Sequence, residues 1–591
     1  MTRKDYDVIV IGGGLLGCFA ARNLARYDLR VALLEKRDDL CMGMSRANTA
    51  IVYSGCDTKP GTRKTTMCVS ASQGFEDLCA ELGVRYSKCG SIMICFGERG
   101  AGVLRKKLEQ GIQNGVRGVR MLTRGEVLEL EPNVSADVYA GLYAPDTGTV
   151  MPWELCLAAA ENAARNGVDI IMNADVDEIS RGSGGYVVKA RGGLHAEAHL
   201  RGVAAVGVGE PDTSDNADTA AVGAGELDIS DNASDGLTSA GEPDKSAKAD
   251  EVVEYRTRAV VNCAGLNADT LLEKVFEPVV RIVPDAGDYY VLDTKTQGFI
   301  RHVIFHEPEE KGKGLTLVPT VEGNILVGPT ERVQEQDAAG AFAADDAGFE
   351  TSLEGLESLR SLVTEVVPDL PMEHVIRSFG AIRPNPYEVN TAPHYGASKN
   401  EAKQMSTTRS SAPQSIAPDD SAPQSSAPHY GETQAKPSVT LSDRSVSDFS
   451  IIEAEGEAFI SFIGVKTPGL TCANELGMYA AERVADKLCA LPNENFDPHR
   501  QAQVRVSDMT FNEREALVRI DPAYGRIVCR CRGVTEGEVL DAIRTTPGAV
   551  TLNGVKHRTG TGLGRCQGGF CTQNVLELLA RELGGSPEDY L

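Results

Sequence analysis

The sequence lacks a surplus of basic residues, and this limits the partners the protein can have. It contains 59 Lys and Arg against 84 Asp and Glu, which gives a formal net charge of −25. Binding of nucleic acid requires Lys and Arg that displace the counterions of the phosphate backbone. We therefore expect neither a nucleic acid nor an anionic membrane surface as a partner.

Long apolar runs are also missing. No stretch reaches the roughly 18 residues that a membrane-spanning helix needs, and the most apolar stretch, near the N-terminus, is interrupted by glycines. Arg3 and Lys4 precede this stretch, as in a signal peptide, but Asp5, Asp7 and the glycine pattern argue against that interpretation. We expect no direct insertion into a membrane.

The cysteines lack the dense, even spacing of a secreted disulfide scaffold. There are 15 of them, an odd number, scattered from Cys18 to Cys571. Such usage is typical of a reducing compartment, where thiols stay free. We therefore predict a cytoplasmic protein.

The length of 591 residues favours two to four domains. Two segments stand out in composition. The first, at about 203–250, repeats GEPD or GELD every 16 residues and carries 12 Asp or Glu against two Lys between Gly207 and Glu251. The second, at about 392–447, is rich in Ser, Ala, Pro and Gln and contains APHYG twice. Because neither segment has enough large apolar residues to form a core, we predict disordered insertions.

The remaining sequence predicts one large domain and one small one. An α/β pattern continues from residue 1 to about 490, and a proline-containing linker follows at 491–520. A compact unit then spans 521–591. The insertions therefore interrupt one catalytic domain rather than divide separate domains.

A nucleotide-binding motif opens the chain. An apolar strand at residues 7–11 leads into GGGLLG at 12–17 and then into a helix, and a second strand ends at Glu35. Gly12 permits the tight turn, Gly14 lets the backbone approach a pyrophosphate, and Gly17 lets helix and strand pack closely. An acid such as Glu35 can accept hydrogen bonds from a ribose. The motif predicts dinucleotide binding without separating FAD from NAD.

Further short motifs carry a resemblance to a known family. They are SRANTAIVYSG at 45–55, KPGT at 59–62, DTGTVMP at 146–152, VNCAG at 261–265, GDYY at 287–290, GAIRP at 380–384 and GVKTPGLT at 464–471. In this order they resemble the D-amino-acid-oxidase-like superfamily, especially glycerol-3-phosphate and L-2-hydroxyglutarate dehydrogenases. The resemblance covers nearly the whole chain outside the two insertions.

The resemblance implies FAD and a fold. It implies a Rossmann-like FAD-binding domain with an interleaved α+β substrate-binding domain. Glycine turns and a helix N-terminus are expected against the cofactor. The implied cofactor-binding residues are Gly12, Gly14, Gly17, Glu35, Ser45, Asn48, Thr49, Ala264, Gly265, Gly464, Pro468, Gly469, Leu470 and Thr471.

The substrate is expected to bind next to the flavin ring of FAD. Arg383 is the first candidate to bind the anionic group of a small substrate, because a planar guanidinium suits bidentate anion binding. Lys466 stands where some glycerol-3-phosphate dehydrogenases carry a lysine near the flavin, so it is a second candidate. The resemblance implies a dehydrogenase that transfers hydride from the substrate to FAD.

Two departures from the family pattern affect this expectation. Tyr53 stands where the families commonly carry a histidine, and Asp285 stands where an arginine is usual. The missing histidine removes the obvious general base for alcohol oxidation. His302 or His306 could replace it, although each is also consistent with a structural histidine. An electron-transfer subunit with a degenerate substrate pocket remains an alternative.

Four cysteines near the C-terminus predict a metal centre. Cys529 and Cys531 form the first pair, and Cys566 and Cys571 lie 35 residues further on in the string GRCQGGFC. Thr535 and the acid three residues later predict a helix start after the first pair. The arrangement resembles the bacterioferritin-associated-ferredoxin-like [2Fe-2S] domain of anaerobic glycerol-3-phosphate dehydrogenase large subunits, a small helical module.

Structural zinc is the alternative, because four thiolates also bind zinc. Zinc pairs usually have C-x-x-C spacing, however, and these pairs are C-x-C and C-x4-C. Residues 526–566 also carry seven Lys or Arg against three acids, and cations near a [2Fe-2S] centre stabilise its negative charge. We predict the cluster, with electrons passing singly to an electron-accepting protein such as a flavoprotein, an iron-sulfur protein or a quinone-reducing subunit.

Overall fold

The computed structural model describes residues 2–195, 252–307, 314–333, 350–390 and 440–591. The strands are β1 Thr2–Ile11, β2 Val31–Leu34, β3 Ile51–Val52, β4 Tyr86–Ser87, β5 Ser91–Cys95, β6 Arg120–Thr123, β7 Ala140–Ala144, β8 Gly148–Val150, β9 Asp169–Gly182, β10 Gly185–His195, β11 Val252–Asn262, β12 Val280–Leu292, β13 Val303–His306, β14 Thr316–Pro319, β15 Ile325–Val327, β16 Arg332–Val333, β17 Val375–Asn390, β18 Thr440–Ser445, β19 Ser450–Glu453, β20 Phe459–Ile463, β21 Ile527–Cys529 and β22 Val534–Thr535. The α-helices are α1 Leu15–Leu24, α2 Arg63–Glu81, α3 Glu98–Gln113, α4 Arg124–Leu130, α5 Pro152–Arg165, α6 Ala268–Leu272, α7 Leu353–Val366, α8 Ala473–Leu488, α9 Phe511–Ile520, α10 Glu536–Arg544, α11 Leu552–Thr559 and α12 Thr572–Leu583.

The first sheet has a Rossmann-like centre. Strand β1 lies between β2 and β11 and pairs in parallel with both, and β9 and β20 extend the parallel set. Helix α1 follows β1 after the glycine turn and packs against α5 and α8. Because both faces of the central strands are covered, they are continuously apolar, with Val8, Ile9 and Val10 fully buried. The glycine turn therefore lies at the carboxyl edge of a parallel sheet.

The second sheet is larger and mainly antiparallel. Its strands run in the order β18-β17-β12-β15-β14-β13-β5-β7-β6. Strands β12 and β17 form its longest ladder, from Val280 opposite Glu388 to Leu292 opposite Val375. The chain alternates between the two sheets, so the segments that form them are interleaved in the sequence. The predicted fold class is confirmed.

The two predicted insertions fall mostly outside the described residues. The first, 203–250, lies between β10 and β11, which pair as antiparallel neighbours with Arg191 opposite Val252. The second lies between β17 and β18, which pair with Val389 opposite Leu441. Since β18 begins at Thr440, the boundary predicted at residue 447 is corrected to about residue 439.

The predicted linker at 491–520 is bound to the large domain and contains α9. Arg500 Nε lies 2.5 Å from Glu161 Oε2 in a buried ion pair, and Asn162 Nδ2 donates to the backbone carbonyls of Asp497 and His499 at 3.0 and 3.1 Å. The linker therefore packs along α5 instead of connecting the two domains freely.

The C-terminal unit has its own apolar core. Val539, Val555, Val575 and Leu579 are fully buried within it. The predicted helix start after the first cysteine pair is confirmed, because Thr535 and Glu538 form a capping box at α10. None of the helices in the described ranges is both long and apolar enough to cross a membrane.

Candidate functional site

The glycine turn between β1 and α1 is shaped for close backbone contact. Gly12 has a φ of +103°, and a Cβ atom there would lie 2.5 Å from the carbonyl oxygen of Cys263. A Cβ atom at Gly17 would lie 1.9 Å from the carbonyl oxygen of Gly12. Side chains at these two positions would separate strand, turn and helix. The N-terminus of α1, at Leu15 and Leu16, therefore opens directly onto the neighbouring cavity.

This cavity, which we call the flavin cavity, has a volume of about 700 Å³, within the range of cofactor sites. Its lining includes Glu35, which follows β2, and Asp175 of β9, together with Tyr289 of β12 and Arg383 of β17, so residues of both sheets line it. The predicted cofactor residues that line it are Gly12, Gly14, Glu35, Ser45, Asn48, Thr49, Ala264, Gly265, Pro468, Gly469 and Leu470. A long cavity with a glycine turn and a helix N-terminus at its wall fits the pyrophosphate of FAD.

Three predicted cofactor residues shape the wall without lining the cavity. Gly17 lets α1 approach the turn. Gly464 has a φ of +65° and packs against Pro386, where a Cβ atom would lie 2.6 Å from the proline ring. The hydroxyl of Thr471 accepts the backbone N–H of Tyr53 at 2.9 Å. These residues position the turns that contact the cavity.

Glu35 connects the end of β2 to the glycine turn. Its carboxylate accepts the backbone N–H of Gly13 at 2.6 Å and that of Arg37 at 2.9 Å. Burial raises the pKa of Glu35, while these two hydrogen bonds favour the charged form and lower it. The carboxylate thus fixes the loop and also faces the cavity end predicted to hold a ribose.

Arg383 lines the cavity from the second sheet and is held by Asp285. Its Nη2 atom lies 2.9 Å from Asp285 Oδ2 and donates to the carbonyl oxygen of Thr330 at 3.0 Å. The two residues are register partners on β17 and β12. Asp285, which departs from the family pattern, therefore orients the arginine and balances part of its charge.

Tyr53 and Lys466 also line the cavity. Burial raises the pKa of Tyr53, and a hydrogen bond with Thr49 and the charge of Arg383 oppose this shift. The Tyr53 ring stacks on Phe305 with 6.1 Å between centroids. Lys466 Nζ donates to Asn385 Oδ1 at 2.9 Å. Because its pKa is raised, the Tyr53 phenol is protonated at neutral pH and offers a hydrogen-bond donor, not a base.

His302 does not reach the cavity, which corrects its assignment as a candidate base. Its Nδ1 atom lies 2.7 Å from Glu131 Oε1, and the same carboxylate accepts the backbone N–H groups of Arg301 and His302. This network fixes the chain before β13. His306, the other candidate, is buried against Phe96 and is also not among the lining residues.

Sequence reasoning missed several residues of the flavin cavity. Thr316 at the start of β14, Pro329 after β15 and Asp175 in β9 line it. None of them belongs to a motif, and they reach the cavity only through the pairing of distant strands. No local sequence pattern therefore indicates that these residues line the cavity.

The four predicted cluster cysteines form two thiol pairs. Cys531 Sγ lies 3.4 Å from Cys566 Sγ, and Cys529 is hydrogen-bonded to Cys571. The pKa of Cys566 is lowered first by Cys531 and then by backbone N–H groups of the loop that follows it. Burial raises the pKa of Cys571 to about 11.

This arrangement fits a two-iron centre. In the described part of the chain, no three donors of the His, Cys, Asp or Glu type converge as for one metal ion. Two neighbouring thiol pairs suit two iron atoms with two thiolates each. A single tetrahedral zinc needs all four thiolates around one point.

The cysteine module is anchored to the large domain beside the flavin cavity. Arg558 of α11 and Asp39 are both fully buried and form a bidentate ion pair at 2.5 and 3.0 Å. His557 stacks on Trp153 with 4.7 Å between ring centroids. The Trp153 indole donates to the carbonyl oxygen of Arg46, next to the cavity residue Ser45. Burial, with nearby cations, lowers the pKa of His557 to about 3, so its ring is neutral.

Most of the basic residues counted around the cysteines have acidic partners. The ion pairs are Arg526 with Glu536, Arg532 with Glu322, Arg544 with Glu582, Arg558 with Asp39, and Arg565 with Asp293. Three of these carboxylates, Asp39, Asp293 and Glu322, belong to the large domain. Basic residues that were predicted to stabilise a cluster therefore also form ion pairs that hold the cysteine module against the large domain.

Comparison with known protein families gives two matches. A model described as FAD dependent oxidoreductase matches residues 7–218 and 230–412. A model described as BFD-like [2Fe-2S] binding domain matches residues 527–581. Both predicted cofactors, FAD and a [2Fe-2S] cluster, are confirmed by these matches.

Two curated proteins illustrate the range of relatives. A glycerol 3-phosphate dehydrogenase from Caloramator mitchellensis is 32% identical over 583 residues, covering 98% of this chain and 95% of the relative. An L-2-hydroxyglutarate dehydrogenase from Escherichia coli K12 is 24% identical over 329 residues, covering 55% of this chain and 63% of the relative.

Solved structures agree with the fold. L-alpha-glycerophosphate oxidase from Mycoplasma pneumoniae with FAD bound has a TM-score of 0.58 and 20% identity, covering 84% of this chain and 98% of its own. Glycerol-3-phosphate dehydrogenase from Bacillus halodurans complexed with FAD has a TM-score of 0.55 and 14% identity, covering 99% and 92%.

Proposed function

The chain belongs to the FAD dependent oxidoreductase family and carries a BFD-like [2Fe-2S] binding domain, and on that premise we propose that it oxidises glycerol 3-phosphate or a related small anionic hydroxy compound. We assign residues 1–490 to the oxidoreductase domain, 491–520 to the linker and 521–591 to the cluster domain. Bound FAD supplies the hydride acceptor, and the cluster supplies a one-electron carrier.

One observation carries the choice of substrate. The similarity to the Caloramator glycerol 3-phosphate dehydrogenase extends over 98% of the chain, through both the flavin region and the cysteine module. The similarity to L-2-hydroxyglutarate dehydrogenases covers 55%. A relative with the same two-part organisation supports glycerol 3-phosphate over the 2-hydroxyacid alternative.

The residues at the flavin end of the cavity have complementary roles in this proposal. Arg383, oriented by Asp285, binds the anionic group of the substrate. Tyr53 donates a hydrogen bond that orients the substrate, since its raised pKa keeps the phenol protonated. Lys466, held by Asn385, adds positive charge beside the flavin.

Electrons leave through the cysteine module to an electron-accepting protein. Phe570, in the loop between Cys566 and Cys571, is 71% exposed, which supports access of a partner to the cluster loop. All fifteen cysteines lie in the described residues and none forms a disulfide, which supports a reducing, cytoplasmic location.

Anaerobic reduction of the flavin tests the proposal. The purified, flavin-loaded protein is mixed with glycerol 3-phosphate, L-2-hydroxyglutarate, L-lactate or sarcosine in the absence of oxygen, and the flavin absorbance is followed. We expect glycerol 3-phosphate to bleach the flavin fastest. Faster bleaching by L-2-hydroxyglutarate would favour the alternative substrate, and no bleaching by any compound would remove support for a dehydrogenase of this class.

A further inference from the structure

A second cavity adjoins the flavin cavity. Its volume is about 350 Å³, and Tyr53, Thr467 and Pro468 line both cavities. They therefore form the shared wall. The second cavity reaches the KPGT segment at 59–62 through Lys59, a stretch that the flavin site does not use.

A buried lysine faces this second cavity. Lys64, in the first turn of α2, is only 8% exposed and is one of the lining residues. Within the described part of the chain its ammonium makes no hydrogen bond and no ion pair, and it lies 5.1 Å from the centroid of the Phe449 ring. This cation–π contact leaves the mostly buried ammonium without a counter-ion among the described residues, and a charge in such a place gains from one. The site thus favours a ligand that brings negative charge.

The acidic groups near Lys64 are engaged elsewhere. The carboxylate of Asp448 accepts the backbone N–H groups of Arg63, Lys64 and Phe449 at 2.8 to 3.0 Å. Burial lowers the pKa of Lys64, and the charge of Asp448 opposes this shift. Asp57, the acid that lines the cavity, pairs with Lys107 at 2.5 Å. Neither carboxylate neutralises the Lys64 ammonium by direct contact.

The remaining lining suits a small anion with a short carbon body. Lys59 is exposed and adds a second cation, and Ser54 and Ser447 add hydroxyl groups. Met93 and Phe305 provide apolar surface. A lysine ammonium binds phosphate as a point charge with three rotatable donors. Phosphate binding by Lys64 therefore does not require the fixed bidentate geometry that an arginine would need.

Arg383 does not make this second site redundant. Its guanidinium already contacts Asp285 and Thr330, so part of its charge is balanced inside the protein. Lys64 has no such contact in the described residues. Tyr53 lines both the cavity that contains Arg383 and the cavity that Lys64 faces.

We propose that the second cavity is a binding site for small phosphate esters, in which Lys64 holds the phosphate group beside the flavin cavity. The ligand class rests on the proposed function, since the ester would be the glycerol 3-phosphate substrate or its keto product. The site captures the phosphate end of the ester beside Tyr53 before or after the reaction, whereas Arg383 binds the same group while the carbon end faces the flavin cavity. Inorganic phosphate shares the recognised group and competes for the site.

Equilibrium binding to the oxidised holoenzyme tests this site without turnover. Calorimetry measures binding of inorganic phosphate, glycerol 3-phosphate and neutral glycerol to the wild type and to Lys64→Met, Lys64→Arg and Lys106→Met. Lys106 is an exposed lysine of α3 outside the cavity and is the matched control.

We expect Lys64→Met to lower the affinity for inorganic phosphate and for glycerol 3-phosphate about tenfold or more, as for loss of a charge-assisted hydrogen bond. Lys64→Arg and Lys106→Met should stay within about threefold of the wild type, and glycerol should not bind.

A second measurement uses only the wild type, so its result does not depend on whether a variant folds. An amine-reactive reagent is applied with and without phosphate, and acylation of Lys59 and Lys106 is followed by peptide mass spectrometry. Phosphate should slow acylation of Lys59, at the mouth of the cavity, and leave Lys106 unaffected. Equal reactivity of Lys59 with and without phosphate would count against the site.

The outcomes separate this site from the proposed function. Absence of phosphate binding to the wild type, or equal binding to the wild type and a folded, flavin-loaded Lys64→Met, overturns the site, even if glycerol 3-phosphate bleaches the flavin normally. Phosphate binding that depends on Lys64, without any bleaching by glycerol 3-phosphate, overturns the proposed function and leaves the site in place. In steady state, Lys64→Met should raise KM more than it lowers kcat.

Discussion

At the scale of single residues, the ion pair between Arg383 and Asp285 links the fold to the proposed chemistry. The two side chains meet across β17 and β12 because they are register partners. Asp285 is 1% exposed, so its charge requires a partner inside the protein. A cation fixed in this way can bind an anionic substrate without first being ordered.

We predict that Arg383→Ala lowers kcat/KM for glycerol 3-phosphate. Loss of a charged hydrogen bond of about 1.5 to 3 kcal/mol corresponds to a decrease of roughly 10- to 150-fold. Flavin content, measured by absorbance, should be retained. The control is Arg377→Ala, an exposed arginine of the same strand, which should keep wild-type kinetics. Unchanged turnover in a flavin-loaded Arg383→Ala would support the electron-transfer subunit with a degenerate pocket.

Glu475 gives a prediction of pH dependence. It lies in the first turn of α8, and burial raises its pKa to about 7 from an ordinary value of 4.5. Its Oε2 atom is buried and makes no hydrogen bond to any residue that the structure describes. Because the folded protein binds this proton more tightly than the unfolded chain, the contribution of Glu475 to stability is full below about pH 4.5 and is lost as the pH rises through about 7.

Glu475→Gln should therefore stabilise the protein at alkaline pH. The amide stays neutral, so the variant avoids a penalty of at most about 3 kcal/mol at pH 8. We expect the Tm of Glu475→Gln to exceed that of the wild type clearly at pH 8 and much less at pH 5. Glu482→Gln, an exposed position of the same helix, is the control. A Tm difference that does not change with pH would contradict this account.

At the scale of elements, helix α11 fixes the cysteine module to the large domain. Arg558 and His557 lie on this helix and contact Asp39 and Trp153. Asp39 follows β2 and precedes the segment at 43–49 that lines the flavin cavity. One helix therefore connects the cluster domain to the wall of the flavin cavity.

We expect Arg558→Met to loosen this connection. Removing one partner of a buried ion pair typically costs about 3 to 5 kcal/mol, because the other charge stays buried and unpaired. Reduction of the flavin by substrate should persist, while electron transfer from flavin to cluster should slow in anaerobic stopped-flow experiments, and Tm should fall. Arg544→Ala, which breaks an exposed pair with Glu582, should cost about 1 kcal/mol or less. Equal effects of the two substitutions would contradict a docking role for Arg558.

The cysteine pairs allow a separate test of electron exit. Cys566→Ser together with Cys571→Ser removes one thiol from each pair, so neither iron would keep two thiolates. The visible iron-sulfur absorbance should disappear, whereas substrate should still reduce the flavin in a single anaerobic turnover. Stoichiometric zinc without acid-labile sulfide in the anaerobically purified wild type would overturn the cluster assignment.

At the scale of the whole molecule, the two insertions leave strand pairing intact on both sides. Strands β10 and β11 are antiparallel neighbours, as are β17 and β18. Each insertion therefore connects positions that are already close in space. Shortening such a connection changes the closure entropy only slowly with length.

Deletion of residues 207–250 should accordingly leave the fold intact. The deletion keeps residues 196–206 to close the hairpin between β10 and β11. We expect Tm and flavin content close to those of the wild type, measured by thermal unfolding and flavin absorbance. A cooperative loss of stability would show that the inserted segment packs against the domain. A deletion in the second insertion must end before Thr440, because β18 begins there and Ser447 lines the second cavity.

The sequence by itself determined the parts of the site that depend on local geometry. The glycine turn at 12–17 and the capping box at Thr535 need particular residues at fixed spacing, so they can be predicted from a short stretch. The cysteine strings at 529–531 and 566–571 likewise predict which four thiols bind the cluster. The order of the family motifs then indicated the interleaved fold.

Only the tertiary structure decided which distant residues meet. Asp285 contacts Arg383 through the register of β12 and β17, Arg558 reaches Asp39 from 519 positions away in the sequence, and Lys64 faces a cavity whose walls come from several strands. His302 was misassigned for the same reason, since its partner Glu131 is 171 residues away. Side chains brought together by strand register and packing leave no periodic or local signal in the sequence, because the free energy that fixes them comes from burial in the assembled core.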